Sequence, residues 1–294
     1  MNGQLSLRVG LDNGRTRLLE AHCQFPLQVL RPYHSAADDW LSLVVLTPSG
    51  GLLNGDELRA EIIVERGASL ELRTQAATQL HAGRSCQTWS VSVEDRASLS
   101  YVPHALVPHA SATHHTTLSA VMAGSARLLL TEIIAPGRVH RGELFAYDEL
   151  RSNLDLWRDG TLLARERQIL RPGKAHSKQS VQTLCSARPC GSLGQAGDEP
   201  SRWTAGIRDC PTSRSMLRAQ LGPCSHFASV YLLGPDATAF DAPAFRIGTN
   251  VELGVSELAR GGACVRLLGQ RAFDLERAIA AVHDHWCQSS RTLA

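Results

Sequence analysis

A segment with alternating apolar residues occurs three times in the first half of the chain, at intervals of 29 residues. Its copies are marked by Ala68, Ala97 and Ala126. Side chains of a β-strand point alternately to the two faces of a sheet, so each copy has one apolar face. A single copy cannot bury that face, and a fixed period in this range is typical of copies that stack on one another.

Each copy also contains a turn, such as Arg66-Gly67 in the first, which suggests a hairpin. The sequence therefore predicts a mainly β chain with an elongated, β-helix-like architecture, a solenoid of stacked β-hairpins. The alternative is three similar hairpins within a β-sandwich, because hairpins recur at regular spacing there as well.

Two further elements can be predicted locally. Asp159-Gly160 supplies the positive φ angles of a two-residue turn, so a hairpin is expected around it. Near the C-terminus a helix is expected, with Asp274 as its N-cap and an apolar face formed by Leu275, Ile279, Val282 and Trp286. The expected architecture thus includes a few helices, one of them near the C-terminus.

Composition excludes several classes of protein. The chain has 294 residues, is 43% hydrophobic and carries a formal net charge of +2, so it can form a packed core and has no basic excess for nucleic acid. No apolar run is long enough for a membrane span, and no secretory signal is recognised. Eight cysteines are then expected to be reduced thiols in a cytoplasmic protein.

We expect a single domain over residues 1–294, with an irregular excursion rich in Cys, Pro and Gly at 185–224. Two metal sites can be considered. A metal-dependent β-fold enzyme could use His104, His109, His114 and His115, but Pro103 and Pro108 interrupt the stretch, and solvated or loop histidines are favoured. A zinc-stabilised binding module could use Cys185, Cys190, Cys210 and Cys224, but free thiols are favoured because the gaps are long.

Three carboxylates lie where strand patterns end: Asp56, Glu132 and Glu143. Glu132 shares an alternate face with Leu128 and Leu130, and a carboxylate on an apolar face needs a partner, a metal ion or water. One interpretation is an ion pair with Arg138 or Arg141. The other is a carboxylate that faces an internal water-filled passage.

No nucleotide-binding loop, nucleophile elbow or zinc-protease helix is present in the sequence. The glycine-rich segment 50–56 lacks the Gly-Lys-Ser/Thr ending of a phosphate loop and is expected to be a tight connection between strands. However, residues 47–56, Thr-Pro-Ser-Gly-Gly-Leu-Leu-Asn-Gly-Asp, resemble the Pro-x-Gly-Gly-x-x-x-Gly-Asp signature of the urease accessory protein family UreD/UreH.

Three further segments resemble that family in the same order. They are Gly67-Ala68 with 74–79, Pro136-Gly137-Arg138 with 142–145, and 265–269 with Trp286 and Arg291. The resemblance covers about 25–173 and 263–291. It departs from the family at Ser100, where a Glu is usual, and at Gln79, where a Lys is usual.

The resemblance implies a nickel-insertion chaperone for urease maturation, not an enzyme. Members of the family form a complex with two other accessory proteins, one a GTPase, and the complex docks on apo-urease. The family fold is β-helix-like, and nickel is thought to pass through an internal channel, so nickel in transit is expected and no tightly bound cofactor. No nucleic-acid or membrane partner is expected.

A passing divalent ion needs few, hard or borderline ligands at each step, because a closed thiolate site would retain it. The candidate residues for the nickel path are therefore Asp56, Glu132 and Glu143, of which the first and last match the family motifs. Thr74, Thr78 and Arg138 are the supporting polar residues.

Overall fold

The structure, a computed structural model, describes residues 1–34, 40–172, 187–188, 221–235 and 250–289. These residues are mainly β-strand and include one α-helix, α1 (Ala272–Ser289), and a short 3-10 turn at Val139–Arg141. The mainly β class and the helix near the C-terminus are thus as predicted. None of the helices in the described ranges has the length and apolarity needed to cross a membrane.

Along the chain the strands are β1 (Asn2–Asp12), β2 (Arg15–Gln24), β3 (Gln28–Val29), β4 (Tyr33–His34), β5 (Leu41–Leu46), β6 (Glu57–Val64), β7 (Ser69–Thr74), β8 (Thr78–Leu80), β9 (Gly83–Val93), β10 (Ser98–Val102), β11 (Leu106–Pro108), β12 (Ala112–Met122), β13 (Arg127–Ile134), β14 (Glu149–Arg158), β15 (Thr161–Leu170), β16 (Ala187–Arg188), β17 (His226–Leu233), β18 (Val251–Leu258) and β19 (Ala263–Gly269). The first sheet has the order β15-β14-β12-β9-β6-β1-β2. The second has the order β16-β18-β19-β17-β13-β10-β7-β5-β3, with β4, β8 and β11 attached to it.

The 29-residue period of the sequence is the offset between paired parallel strands. Glu57 lies opposite Cys86 in the first sheet, and Ser69 lies opposite Ser98 in the second. Each copy therefore places one strand in each sheet, and the next copy pairs with it in parallel in both. The expected hairpins within the copies are wrong: β6 and β7, joined by the Arg66-Gly67 turn, belong to different sheets. Alternation alone predicts the strands but not their partners. The elongated solenoid shape stays a prediction.

The hairpin predicted at Asp159-Gly160 is confirmed. β14 and β15 pair antiparallel around it, and the two turn residues have φ angles of 48° and 73°. Positive φ at both central residues gives the turn a twist that matches its strands.

The main apolar core lies between the two sheets. Ala68, Ala97 and Ala126 are fully buried where the chain leaves the first sheet and enters the second. Inward side chains of successive strands lie one above another. Among those with no exposed surface are Leu7, Val9, Ile62, Val64, Leu70, Leu99 and Leu128. Burying each such side chain contributes about 2 kcal/mol before the entropy cost of folding.

A second core joins α1 to the outer face of the second sheet. The four predicted apolar residues of the helix are all buried: Leu275, Ile279, Val282 and Trp286. The N-cap prediction is wrong, because α1 begins at Ala272 and Asp274 lies within its first turn, where it accepts hydrogen bonds from Arg271. Arg127 donates to the Trp286 carbonyl at 2.6 Å and its guanidinium lies over the indole ring, which fixes the end of the helix.

The single-domain assignment for 1–294 stays a prediction. Most of the 185–224 excursion, including Cys185, Cys190 and Cys210, lies outside the described residues. Cys224 is described, and its side chain is buried.

Candidate functional site

A cavity of about 80 Å³ with both polar and apolar walls lies between the two sheets. This volume accommodates a few water molecules, since one water needs roughly 10–15 Å³ measured in this way. Apolar walls are contributed by residues such as Trp89, Tyr101 and Leu130. The polar lining residues are Thr47, Thr74, Thr78, Gln87, His104, Thr116, Thr131, Glu132, Ser152, Asn153, Glu166 and Tyr231.

Glu132 is the predicted carboxylate that the structure places in this cavity. It projects from β13 toward the space between the sheets, and the hydroxyl of Ser152 donates to its Oε1 at 2.9 Å. Burial raises the pKa of the carboxyl to about 7; the bond from Ser152 counteracts the rise, and the nearby charge of Glu166 adds to it. Glu132 is one of the residues that line the cavity, and its place on an internal passage stays a prediction.

The other interpretation of Glu132, an ion pair with Arg138 or Arg141, is wrong. The guanidinium of Arg138 instead forms a bidentate ion pair with the carboxylate of Glu143. For Arg141 the described residues include no contact with Glu132. Glu132 lies within β13, whereas Arg138 follows the end of the strand at Ile134 and contacts Glu143, five residues further along the chain.

A second carboxylate of the cavity, Glu166, was not predicted. It is buried on the inward face of β15 and accepts a hydrogen bond from Arg266 of β19 at 2.7 Å. Arg266 also bonds to Ser229 and lies 3.3 Å from the hydroxyl of Tyr231. This network supplies one fixed positive charge beside two carboxylates. The sequence does contain a signal for Glu166, because this residue lies on the same face of its strand as buried apolar residues.

Both supporting threonines line the same cavity. The hydroxyl oxygen of Thr74 accepts the backbone N–H of His104 at 2.9 Å and its O–H is directed to the carbonyl of Ala76 at 3.3 Å. Thr78 begins β8, and its backbone N–H bonds to Ala105. The structure therefore places Glu132, Thr74 and Thr78 around one cavity, and their role on an ion path stays a prediction.

Asp56 lies elsewhere. Its carboxylate is almost fully buried in the glycine-rich connection and accepts the N–H of Leu53 at 2.8 Å, while the Met1 amino group is 2.5 Å away. Asp56 is not among the residues that line the cavity. Its visible contacts are those of a turn residue, and its proposed place on a nickel path stays a prediction.

Glu143 and Arg138 form a separate cluster in the connection between β13 and β14. The hydrogen bonds from Arg138 lower the pKa of Glu143 to about 2, and the N–H of Ala110 is a further donor at 3.2 Å. His109 is close by: its Nε2 is 2.9 Å from Oε1 of Gln79, and burial lowers its pKa. The cluster keeps Glu143 ionised, but it does not open into the cavity.

The glycine-rich connection lies beside the Glu143 cluster through β8. Leu52 forms a parallel bridge to Leu80, and β8 pairs with β11. Gly51 has a φ of 125°, and a Cβ there would collide with the carbonyl of Gln79, so only glycine allows this approach. The family-like stretches at 47–56, 74–79 and 136–145 are therefore neighbours in space, whereas Gly67-Ala68 lies at the other end of β7. The prediction that the glycines permit a tight connection is confirmed.

The four histidines do not form one site. His104 bonds to Glu276 at 2.8 Å, His109 to Gln79, and His115 lies 3.9 Å from Glu149. His114 is buried on β12 with Nδ1 2.8 Å from Oγ of Ser85. The expectation of solvated or loop histidines is wrong for His114, which lies on the same face of its strand as the inward residues. Burial lowers the pKa of His114 to about 4.

A smaller cavity, of about 10 Å³, adjoins the first. Glu132 and Ser152 line both, and the smaller cavity is also lined by His114 and Arg151, among others. Arg151 is 3.0 Å from Glu149, which offsets its charge. In the part of the chain that the structure covers, there is no group of three or more His, Cys, Asp or Glu side chains suited to hold a metal ion.

Comparison with known proteins agrees with the sequence motifs. A family model described as UreD urease accessory protein matches residues 1–293. A urease accessory protein UreD from Acetivibrio thermocellus is 28% identical over 172 residues, covering 58% of this chain and 66% of the relative. One from Mycolicibacterium gilvum is 34% identical over 177 residues, covering 58% and 65%.

A third relative with the same name, from Trichormus variabilis, is 30% identical over 203 residues, which are 68% of this chain and 72% of the relative. The aligned part thus spans slightly less than two thirds of the first two relatives.

Proposed function

Because this chain belongs to the UreD family of urease accessory proteins, we propose that it is required for urease maturation and helps to insert nickel into the apo-urease metallocentre. In this proposal it acts in the cytoplasm within an accessory complex that contains a GTPase and a second accessory protein. Its role is that of a scaffold and ion conduit, and it catalyses no reaction itself. Nickel is its cargo.

The observation that carries the proposal is the cavity between the sheets with Glu132 in its wall. An ion in transit has to lose and regain water at each step, so it requires isolated oxygen ligands within a hydrated space. Glu132 provides a carboxylate there, and Thr74 and Thr78 provide hydroxyls. The pair of Glu166 and Arg266 adds no net charge to that wall.

The enzyme alternative finds less support. A catalytic metal needs several ligands that converge on one point, whereas His104, His109, His114 and His115 have separate partners. The zinc alternative depends on cysteines that lie outside the described residues, except Cys224, so the geometry does not favour it.

The direct test is co-expression of urease and its accessory partners with and without this chain. Without the chain, we expect urease protein of normal abundance that contains little nickel and has little activity. Full activity and nickel content in its absence would refute the proposal.

A second test addresses the path. Replacing Glu132 with Ala should lower the nickel content of urease several-fold while the accessory complex still co-purifies, and replacing the exposed Glu61 with Ala should change neither. For Asp56→Ala, reduced activation with intact assembly would place that residue on the path. Failure of assembly would show it to be structural only.

A further inference from the structure

His114 has an unusual combination of burial and incomplete hydrogen bonding. Only 1% of the residue is exposed. Its Nδ1 is held by Ser85, whereas its Nε2 has no hydrogen-bond partner among the described residues. An unpaired polar atom in a protein interior costs free energy, so such an atom calls for a missing partner.

The tautomer follows from these contacts. A proton on Nε2 would be a buried donor with no acceptor, so we assign the proton to Nδ1, which then donates to Ser85 Oγ. Nε2 keeps its lone pair. A histidine whose one nitrogen donates to a neighbouring oxygen and whose other nitrogen is bare has the arrangement of a metal-binding imidazole.

The position of the imidazole adds a second observation. His114, Glu132 and Ser152 all line the smaller cavity, whose volume of about 10 Å³ is close to that of one water or one bare ion. Ser85 occupies Nδ1, so Nε2 is the ring nitrogen left to interact with a ligand. Glu132 also lines the larger cavity, and the two spaces therefore meet at its carboxylate.

We propose that the smaller cavity is a transient site for one divalent transition-metal ion, held by Nε2 of His114 and the carboxylate of Glu132, and that His114 makes the path selective. This rests on the proposed function, and it assigns the selectivity to one residue. Water or the Ser152 hydroxyl completes the coordination. Two protein ligands hold an ion less firmly than a closed site, which suits transfer.

The chemical reason for selectivity is the nitrogen ligand. Oxygen ligands alone accept Mg²⁺ and Ca²⁺, whereas imidazole favours Ni²⁺, Cu²⁺, Zn²⁺ and similar ions. A conduit lined only by carboxylates and hydroxyls would be open to Mg²⁺. In the smaller cavity His114 adds a nitrogen ligand beside Glu132, whereas His104, in the wall of the larger cavity, is hydrogen-bonded to Glu276 through Nδ1.

The test is an NMR titration of the full chain, labelled with ¹⁵N-histidine, with Ni²⁺ and separately with Mg²⁺. The spectrum of the His114→Gln variant identifies the His114 signal. We expect Ni²⁺ to broaden the His114 Nε2 signal through its unpaired electrons, while Mg²⁺ in large excess leaves that signal unchanged. The surface histidines serve as internal references.

The variants separate ligand from structural roles. His114→Gln should raise the Kd of this Ni²⁺ site at least about tenfold, and Ser85→Ala should raise it about tenfold by releasing the ring. His115→Gln, on the opposite face of β12, is the matched control and should leave the Kd unchanged. Thermal unfolding of each variant shows whether the fold is kept.

A His114 signal unaffected by Ni²⁺ would overturn the inference and identify the cavity as a water site. An unchanged Kd in folded Ser85→Ala and His114→Gln would do the same. Either result leaves the proposed function intact as long as the wild-type chain supports urease activation, whereas failure of that activation would count against the proposed function itself.

Discussion

The buried carboxyl of Glu132 should make this protein less stable as the pH rises. In the unfolded chain a glutamate has a pKa near 4.5, and in the folded protein burial raises that pKa to about 7. Between these values the folded state binds more protons than the unfolded state. The stability difference is therefore fully present below pH 4.5 and is lost as the pH rises toward 7.

The magnitude follows from the two pKa values. The difference between 4.5 and about 7 corresponds to ~3 kcal/mol, at 1.36 kcal/mol for each pH unit. Water in the cavity would screen the carboxylate, so this figure is an upper limit. Glu132→Gln keeps the shape of the side chain and the polar contact with Ser152 but cannot ionise.

Urea unfolding at pH 5 and at pH 8 provides the measurement. We expect the free energy of unfolding of the wild type to fall by up to ~3 kcal/mol more than that of Glu132→Gln over this range. All other titrating groups are shared, so their effects cancel in the comparison. Glu61→Gln, an exposed strand residue, should behave as the wild type does. Equal pH dependence of the wild type and Glu132→Gln would refute the reasoning.

Three further substitutions test packing and geometry by urea unfolding at pH 7.5. Arg266→Met leaves Glu166 buried without its partner and should cost about 3 kcal/mol, most of which Glu166→Gln in the same chain should restore; no gain from the second change would contradict this. Gly51→Ala should cost about 2 kcal/mol more than Gly50→Ala, since only the first collides with a neighbouring carbonyl, and equal costs would refute it. Leu275→Ala should cost about 3 kcal/mol through the cavity left beneath α1, and a negligible cost would show that the helix is not docked.

The local structural elements could be predicted from the sequence. The alternation around Ala68, Ala97 and Ala126, the Asp159-Gly160 turn and the apolar face of α1 each depend on residues close together in the chain. Alternation also placed Glu132 on the inward face of β13. Period and local turn chemistry determine these features, so no tertiary contact was needed to predict them.

The residues of the candidate site could be predicted only in part from the sequence. Glu132 shares its cavity with Ser152, 20 residues away, and with Glu166, whose partner Arg266 is 100 residues further along the chain. Nothing in the spacing relates such distant residues. The polar partners were therefore missed, and Arg138 was wrongly considered as a partner for Glu132.

The amino-acid order alone settled that this chain is mainly β, that its copies repeat at 29 residues and that it resembles one family, because side-chain alternation and motif spacing are properties of short segments. Which strands pair was decided by the folded structure, since two strands that follow one another can enter the same sheet or different sheets with the same pattern. The same tertiary step left a small cavity between the sheets and placed His114 and Glu132 in its wall, because burial and hydrogen bonding depend on neighbours brought in from distant parts of the chain.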